Sequence, residues 1–179
     1  MAICSDIFSK EFSDIIVNYS TVVGGIAAGL WVLFRFGIFR EGYPKIEHDI
    51  DIAVHGEDKA GILVELETTM NNKGQTRHEV HDFKFSLFYL TADDQFKPGC
   101  DEMNCQVKFN PLRKKQSWIP KKWESTFVEP GVCQRYSYIT TVPKEARYLL
   151  LISRFDYSDD ESGFHTAQRV WNLDDLRKK

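Results

Sequence analysis

The sequence predicts an all-β body, an antiparallel β-sandwich of about seven strands, preceded by one transmembrane α-helix. Three observations predict it. Residues 15–34 form an apolar run without a single charge. Beyond Pro44 the apolar residues recur at every second position, the period of a strand with one buried face. The runs are joined by short connections rich in Gly, Asn, Asp and Pro with no helical stretch between them, which suits an antiparallel sheet and argues against a βαβ fold.

Composition narrows the class. At 179 residues the chain is long enough for one hydrophobic core. An aromatic content of 13% argues against disorder. A net charge of -3 argues against a general nucleic-acid binder, whose footprint is basic, so nucleic acid is not an expected partner. Four cysteines are far too few for a disulfide scaffold. Cys100, Cys105 and Cys133 leave an odd thiol in the body, which is awkward in an oxidising compartment and ordinary in the cytosol. The expected organisation is a short acidic tail (1–14), a transmembrane helix with its flank (15–39), a β-sandwich (44–173) and a polar tail (174–179).

The first element is the helix. At about 1.5 Å per residue the uncharged run spans a hydrocarbon layer of roughly 30 Å. Tyr19, Trp31 and Tyr43 fall where amphipathic rings prefer the interface. An interfacial helix needs a polar stripe, and the run has none. A cleaved signal peptide is disfavoured, because the preceding segment carries Asp6, Glu11 and Asp14 against Lys10 and no small-x-small site follows the run. Arg35, Arg40 and Lys45 on the far side put the C-terminal body in the cytoplasm and the N-terminus outside, a single-pass protein of the inner (cytoplasmic) membrane. Thr21, Gly25 and Gly29 place small residues on one helical face, the pattern through which membrane helices self-associate.

The strands follow in order. Ile46, His48, Ile50, Ile52 and Val54 alternate with Glu47, Asp49, Asp51 and Ala53, and His55-Gly56-Glu57-Asp58 reads as a turn. Ile62, Val64, Leu66, Thr68 and Met70 form the second run, closed by Asn71-Asn72-Lys73-Gly74. Phe83, Phe85, Leu87 and Tyr89 form the third. From 91 to 122 the pattern weakens into a long excursion with one short strand near 106–109. Order returns at 125–129, Pro130-Gly131 turns the chain, and Gln134, Tyr136 and Tyr138 alternate. Leu149, Leu151, Ser153, Phe155 and Tyr157 make a strongly apolar, central strand. Residues 158–163 read as a hairpin loop, and 166–173 as the last strand before a frayed polar end.

Two pieces of this body, ILVELETTMNNKGQTRHEVHDFKFSLFYL and FVEPGVCQRYSYITTVPKEARYLLLISRFDY, resemble strands B–C and E–F of bacterial immunoglobulin-like domains. There an Asn-x-Gly turn follows an alternating strand, and an apolar strand follows a Pro-x-x-Ala segment. The chain is also similar to uncharacterised bacterial proteins with one membrane span and one such domain. The resemblance implies an immunoglobulin-like antiparallel β-sandwich. Met70 and Leu151 stand where the disulfide-pinned subclass carries cysteines, so that subclass is excluded.

Chemistry-bearing constellations are sparse. Asp49-Ile50-Asp51 has the spacing of a two-carboxylate, Mg²⁺-holding strand, but its Gly-Gly partner (Gly24-Gly25) lies too far upstream and inside the apolar run. Alternation puts both carboxylates on a solvent face. His78-x-x-His81 resembles metal spacing, yet residues three apart on a strand point to opposite faces, and two solvated loop histidines are the plainer reading. Cys100 and Cys105 lack a second pair for zinc. No catalytic set, metal site or cofactor is therefore expected. Arg113, Lys114, Lys115, Trp118, Lys121, Lys122 and Trp123 put five cations and two tryptophans in eleven residues, which fits contact with anionic headgroups. The expected function is a membrane-anchored, non-enzymatic interaction or scaffold domain whose contacts are the bilayer, a protein partner and itself. The alternatives are a metal-dependent enzyme or metal-binding protein using Asp49 and Asp51 or His78 and His81, and a structural subunit of a membrane assembly.

Overall fold

The computed structural model describes residues 3–38, 44–98, 107–157 and 163–177. The chain divides into two compact units, Met1–Tyr43 and Pro44–Lys179.

The first unit is helical. Helix α1 covers Ile3–Val32, so it begins well before the apolar run and takes in much of the expected acidic tail; its backbone continues as wider π-helical turns over Leu33–Ile38. The stretch Ile15–Arg35 is long and apolar enough to cross a membrane, and its side chains are exposed throughout. The same test is met by a signal sequence near an N-terminus. Ser20 and Thr21 donate their hydroxyl protons to the Val17 carbonyl, at 2.9 and 2.8 Å. Neither hydroxyl is left without a bond in an apolar surrounding.

Among the described residues, the second unit holds eight strands in two antiparallel sheets: β1 (Ile46–Asp58), β2 (Gly61–Asn72), β3 (His78–Thr91), β4 (Asn110–Ser117), β5 (Ser125–Val128), β6 (Cys133–Val142), β7 (Ala146–Asp156) and β8 (Phe164–Asn172). The first sheet has the order β1-β2-β6. The second has the order β4-β3-β7-β8, and β5 pairs with β3 as well. His81 pairs with Ser125 of β5 and with Asp156 of β7, so β5 lies along the same edge of β3 as β4. The chain passes between the sheets three times, from β2 to β3, from β5 to β6 and from β6 to β7.

Alternation explains the layering. Ile46, Ile50 and Ile52 of β1 and Ile62, Val64, Leu66 and Met70 of β2 are buried, as are Val80, Phe83, Phe85 and Leu87 of β3 and Leu149, Leu151 and Phe155 of β7. The two sets form one core between the sheets. Met70 and Leu151 are both wholly buried in it. Strand β7 is interior to its sheet, as its apolar run predicts.

The described residues of the body carry eight strands, close to the seven or so expected. Several expectations are corrected. The first turn is Asp58-Lys59-Ala60-Gly61, where Asp58 Oδ1 accepts from the backbone N–H of Ala60 (2.8 Å) and Gly61 (3.2 Å); residues 55–58, expected there, continue β1 after an irregularity between Val54 and Gly56. Strand β3 starts at His78, so His78 and His81 are on a strand and not in a loop. The expected strand over 106–109 is absent at 107–109 and lies at Asn110–Ser117 instead; Gln106, like Cys100, Cys105, Tyr43 and residues 158–162, lies outside the described residues. The polar end forms a short helix α2 (Leu173–Leu176), because the Asn172 side chain accepts from Asp174 N and caps it, while Leu173 is buried.

Candidate functional site

The molecule offers three places where polar chemistry is concentrated: a polar cluster between the sheets, the cationic segment after residue 112, and the free edge of β6.

The cluster is built from residues far apart in the chain. His48 of β1 puts Nε2 at 3.1 Å from Thr68 Oγ1 of β2 and 3.0 Å from Ser153 Oγ of β7. Trp118 donates its indole N–H to the same Ser153 oxygen at 2.9 Å. Thr68 donates to the Asp49 carbonyl at 3.2 Å, so its oxygen is free to accept from His48. With the proton on Nε2, the buried Nδ1 keeps a lone pair that has no hydrogen-bond partner. His48 packs against Phe83, Phe155 and the ring of His165, the last at 5.6 Å. Burial and then the nearby His165 push its pKa down from 6.5 to about 4, against a small opposing pull from Asp49, so the ring is neutral at pH 7. Partial burial also lowers His165, which sits 3.2 Å from the Tyr157 hydroxyl through Nδ1. A serine beside a histidine invites a nucleophilic reading, but Ser153 is 0% exposed and its oxygen already holds the indole. No carbonyl carbon can approach it in this packing. The cluster ties the two sheets together.

The residues singled out in the sequence scatter. Asp49 and Asp51 are exposed on the outer face of β1; Asp49 pairs with Arg169 of β8 at 2.9 Å, and each carboxylate also accepts the next residue's backbone N–H. His78 Nε2 lies 3.1 Å from Thr76 Oγ1, its ring meets Tyr157 at 6.2 Å, and partial burial lowers its pKa. His81 Nε2 is 4.0 Å from Glu79 Oε1. Among the described residues no three His, Cys, Asp or Glu side chains are grouped to hold a metal ion. Around Gly25 and Gly29 an added Cβ would meet open space.

The cationic segment divides. Arg113, Lys114 and Lys115 are exposed on β4, and Lys121, Lys122 and Trp123 are exposed after it, Trp123 at 52%. Trp118 does not join them: it is 6% exposed, packs on Phe85 at 4.5 Å between ring centroids, and cannot lie against lipid.

The third place is not marked by any motif. Strand β6 pairs with β2 through ten consecutive residue pairs, Ile62 to Asn71 against Val142 to Cys133, without a shift. Its other side has no strand among the described residues. Tyr136, Tyr138, Thr140 and Val142 point into the sandwich; Cys133, Arg135, Ser137, Ile139 and Thr141 are exposed on the outer face, Ile139 at 62%. The remaining edges are guarded. β4 has two register irregularities against β3 and a left-handed residue at Lys115 (φ 49°). β8 is clamped to β1 by Arg169 and Asp49. β6 carries no proline and no bulge, and Arg135 is the one charged side chain along it. The alternation of Gln134, Tyr136 and Tyr138 marks the strand in the sequence; that it lies at an edge depends on pairing with β2, some seventy residues earlier, and has no local signal.

No protein-family model matches the chain, and no curated protein matches it. Among solved structures it is similar to a target of the Northeast Structural Genomics Consortium at 10% identity and a TM-score of 0.45, covering 72% of this chain and 84% of that one. It is similar to the putative ApaA protein from Bordetella pertussis at 8% identity and a TM-score of 0.42, covering 72% and 94%. The sporulation control protein Spo0M from Bacillus subtilis matches at 11% identity and a TM-score of 0.41, covering 73% of this chain and 49% of that one.

Proposed function

We propose that this protein is a non-enzymatic binding module tethered to a membrane by α1, and that it takes a partner's extended segment onto β6. One observation carries the reading: a regular ten-residue edge strand with no bulge, no proline and a single charge, Arg135, beside a β4 edge that is irregular and carries three successive cations. An added strand finds a row of unpaired backbone N–H and C=O groups for affinity and Ile139 as an apolar contact for specificity. The immunoglobulin-like kinship belongs to the same proposal, supported by two antiparallel sheets with repeated crossings between them. So does placement in the inner membrane with the body in the cytoplasm, supported by Arg35 at the end of the span. Exposed Arg113, Lys114, Lys121, Lys122 and Trp123 suit anionic headgroups as a secondary contact.

The test is Ile139→Lys in the full-length chain, purified from membranes in mild detergent. The substitution places a charge on an exposed edge without touching the core. A stoichiometric complex retained by the wild type is expected to fall more than tenfold in the variant at unchanged thermal stability. An unchanged complex overturns the reading.

A further inference from the structure

We propose that the partner of β6 is β6 of a second copy, paired antiparallel about a two-fold axis through Ser137. The inference rests on the β6-edge reading and names its occupant. The strand's outer row is self-complementary in that register. Cys133 then faces Thr141 of the other copy, Arg135 faces Ile139, and Ser137 faces itself. Ile139 is the large apolar residue left open on this edge, and Arg135, with its side chain 68% exposed, has the long aliphatic stem to cover it.

Charge completes the match. Within one copy Ile139 pairs with Glu65 of β2, and Ser137 with Glu67. An arginine reaching over the other copy's Ile139 arrives at that copy's Glu65, about two strand spacings of roughly 4.8 Å away. Arg135 in its own copy stands 3.7 Å from Glu67. In the separate molecule Arg135 stands near Glu67 and also acts on Glu65, which His55 holds at 2.8 Å; the pair brings the second copy's guanidinium toward the same carboxylates. The outer face of this sheet carries Glu47, Asp49, Asp51, Glu65 and Glu67; Lys73, Arg169, His55 and Arg135 stand beside four of them, and the row still favours a second arginine at its open side. The same operation serves both copies at once, as an isologous contact requires. The product is one continuous six-stranded sheet, β1-β2-β6 joined to its symmetry mate.

The experiment uses the full chain in detergent, with Cys4, Cys100, Cys105 and Cys133 replaced by serine and one cysteine introduced. Residues directly opposite in an antiparallel pair have Cα atoms about 4.5–5.5 Å apart, within the range a disulfide spans. Ser137→Cys is expected to form a disulfide-linked dimer under mild oxidation at least tenfold faster than Arg135→Cys, whose two copies would lie four residues apart along the strands. Equal rates, or no dimer from Ser137→Cys, overturn self-pairing. A photoreactive residue at position 139, used in membranes, separates the two levels of the claim. If it captures a different protein while Ser137→Cys stays monomeric, self-pairing fails and the edge reading stands. If it captures nothing and Ser137→Cys stays monomeric, both fail.

Discussion

His48 is the residue whose chemistry is most altered by the fold. In the unfolded chain it titrates near 6.5, and in the folded one near 4, because burial and His165 both oppose its charge. A lowered histidine pKa means the unfolded state binds the extra proton first. Its contribution to stability is therefore full above pH 6.5 and lost as pH falls toward 4. The difference amounts to about 3 kcal/mol at most. His165 and His78 are lowered in the same sense and add to the loss. Urea unfolding of the full chain in detergent, followed by tryptophan fluorescence, is expected to show a midpoint that falls steeply between pH 6.5 and 4. His48→Gln should flatten that slope while lowering stability at neutral pH; an unchanged slope would refute the assignment. Asn72 is the other buried polar anchor. Its side-chain amide donates to the carbonyls of Thr76 (2.8 Å) and Val128 (2.9 Å), while its Oδ1 accepts from Gly74 N (2.9 Å). The Asn-x-Gly signal marks this turn in the sequence. The tie to β5 is invisible there, because it joins residues 56 positions apart.

At the scale of elements, the sequence is legible where alternation is unbroken. β1 and β2 follow their apolar period, β7 is marked by a continuous apolar run instead, with Leu149, Leu150, Leu151, Ile152 and Ser153 all buried, and Pro130-Gly131 does turn the chain, with Gly131 at φ 72°. It fails at β4. Arg113, Lys114 and Lys115 are three successive exposed cations on a strand that bulges twice, so no period of two survives to be read. The basic run looks like a loop because the edge it guards requires charge and irregularity. Trp118 misleads for the opposite reason: it neighbours cations in sequence but follows Ser117 inward onto Phe85 and Ser153. The His48 cluster leaves no trace, since Ser153 lies 105 residues away. The β1–β2 hairpin gives a sharper expectation. Gly61 sits at φ 151°, and a Cβ there would stand 2.5 Å from the Val142 carbonyl oxygen, a backbone atom of β6. Gly61→Ala is expected to cost roughly 1–3 kcal/mol and to loosen β6 against β2. Hydrogen exchange localised to β2 and β6 measures it; unchanged protection there would show that the two strands part without penalty.

For the whole molecule, the two units divide the work: one presents an apolar helix, the other a complete core. The positive flank after the span predicts that Cys133, which is exposed and free, lies on the cytoplasmic side. In intact cells an impermeant maleimide is expected to label Cys4 and spare Cys133, while both react after lysis in denaturant. Labelling of Cys133 in intact cells reverses the orientation. The first sheet is also lopsided. Its β1 side is kinked between Val54 and Gly56, carries a row of acidic side chains and is strapped to β8, whereas its β6 side is regular and carries one charge, Arg135. If β6 pairs with its own copy as proposed, this sheet has a valence of one: growth along it would stop at two members, and a fibril, which needs a second sticky flank on every unit, would have nowhere to continue.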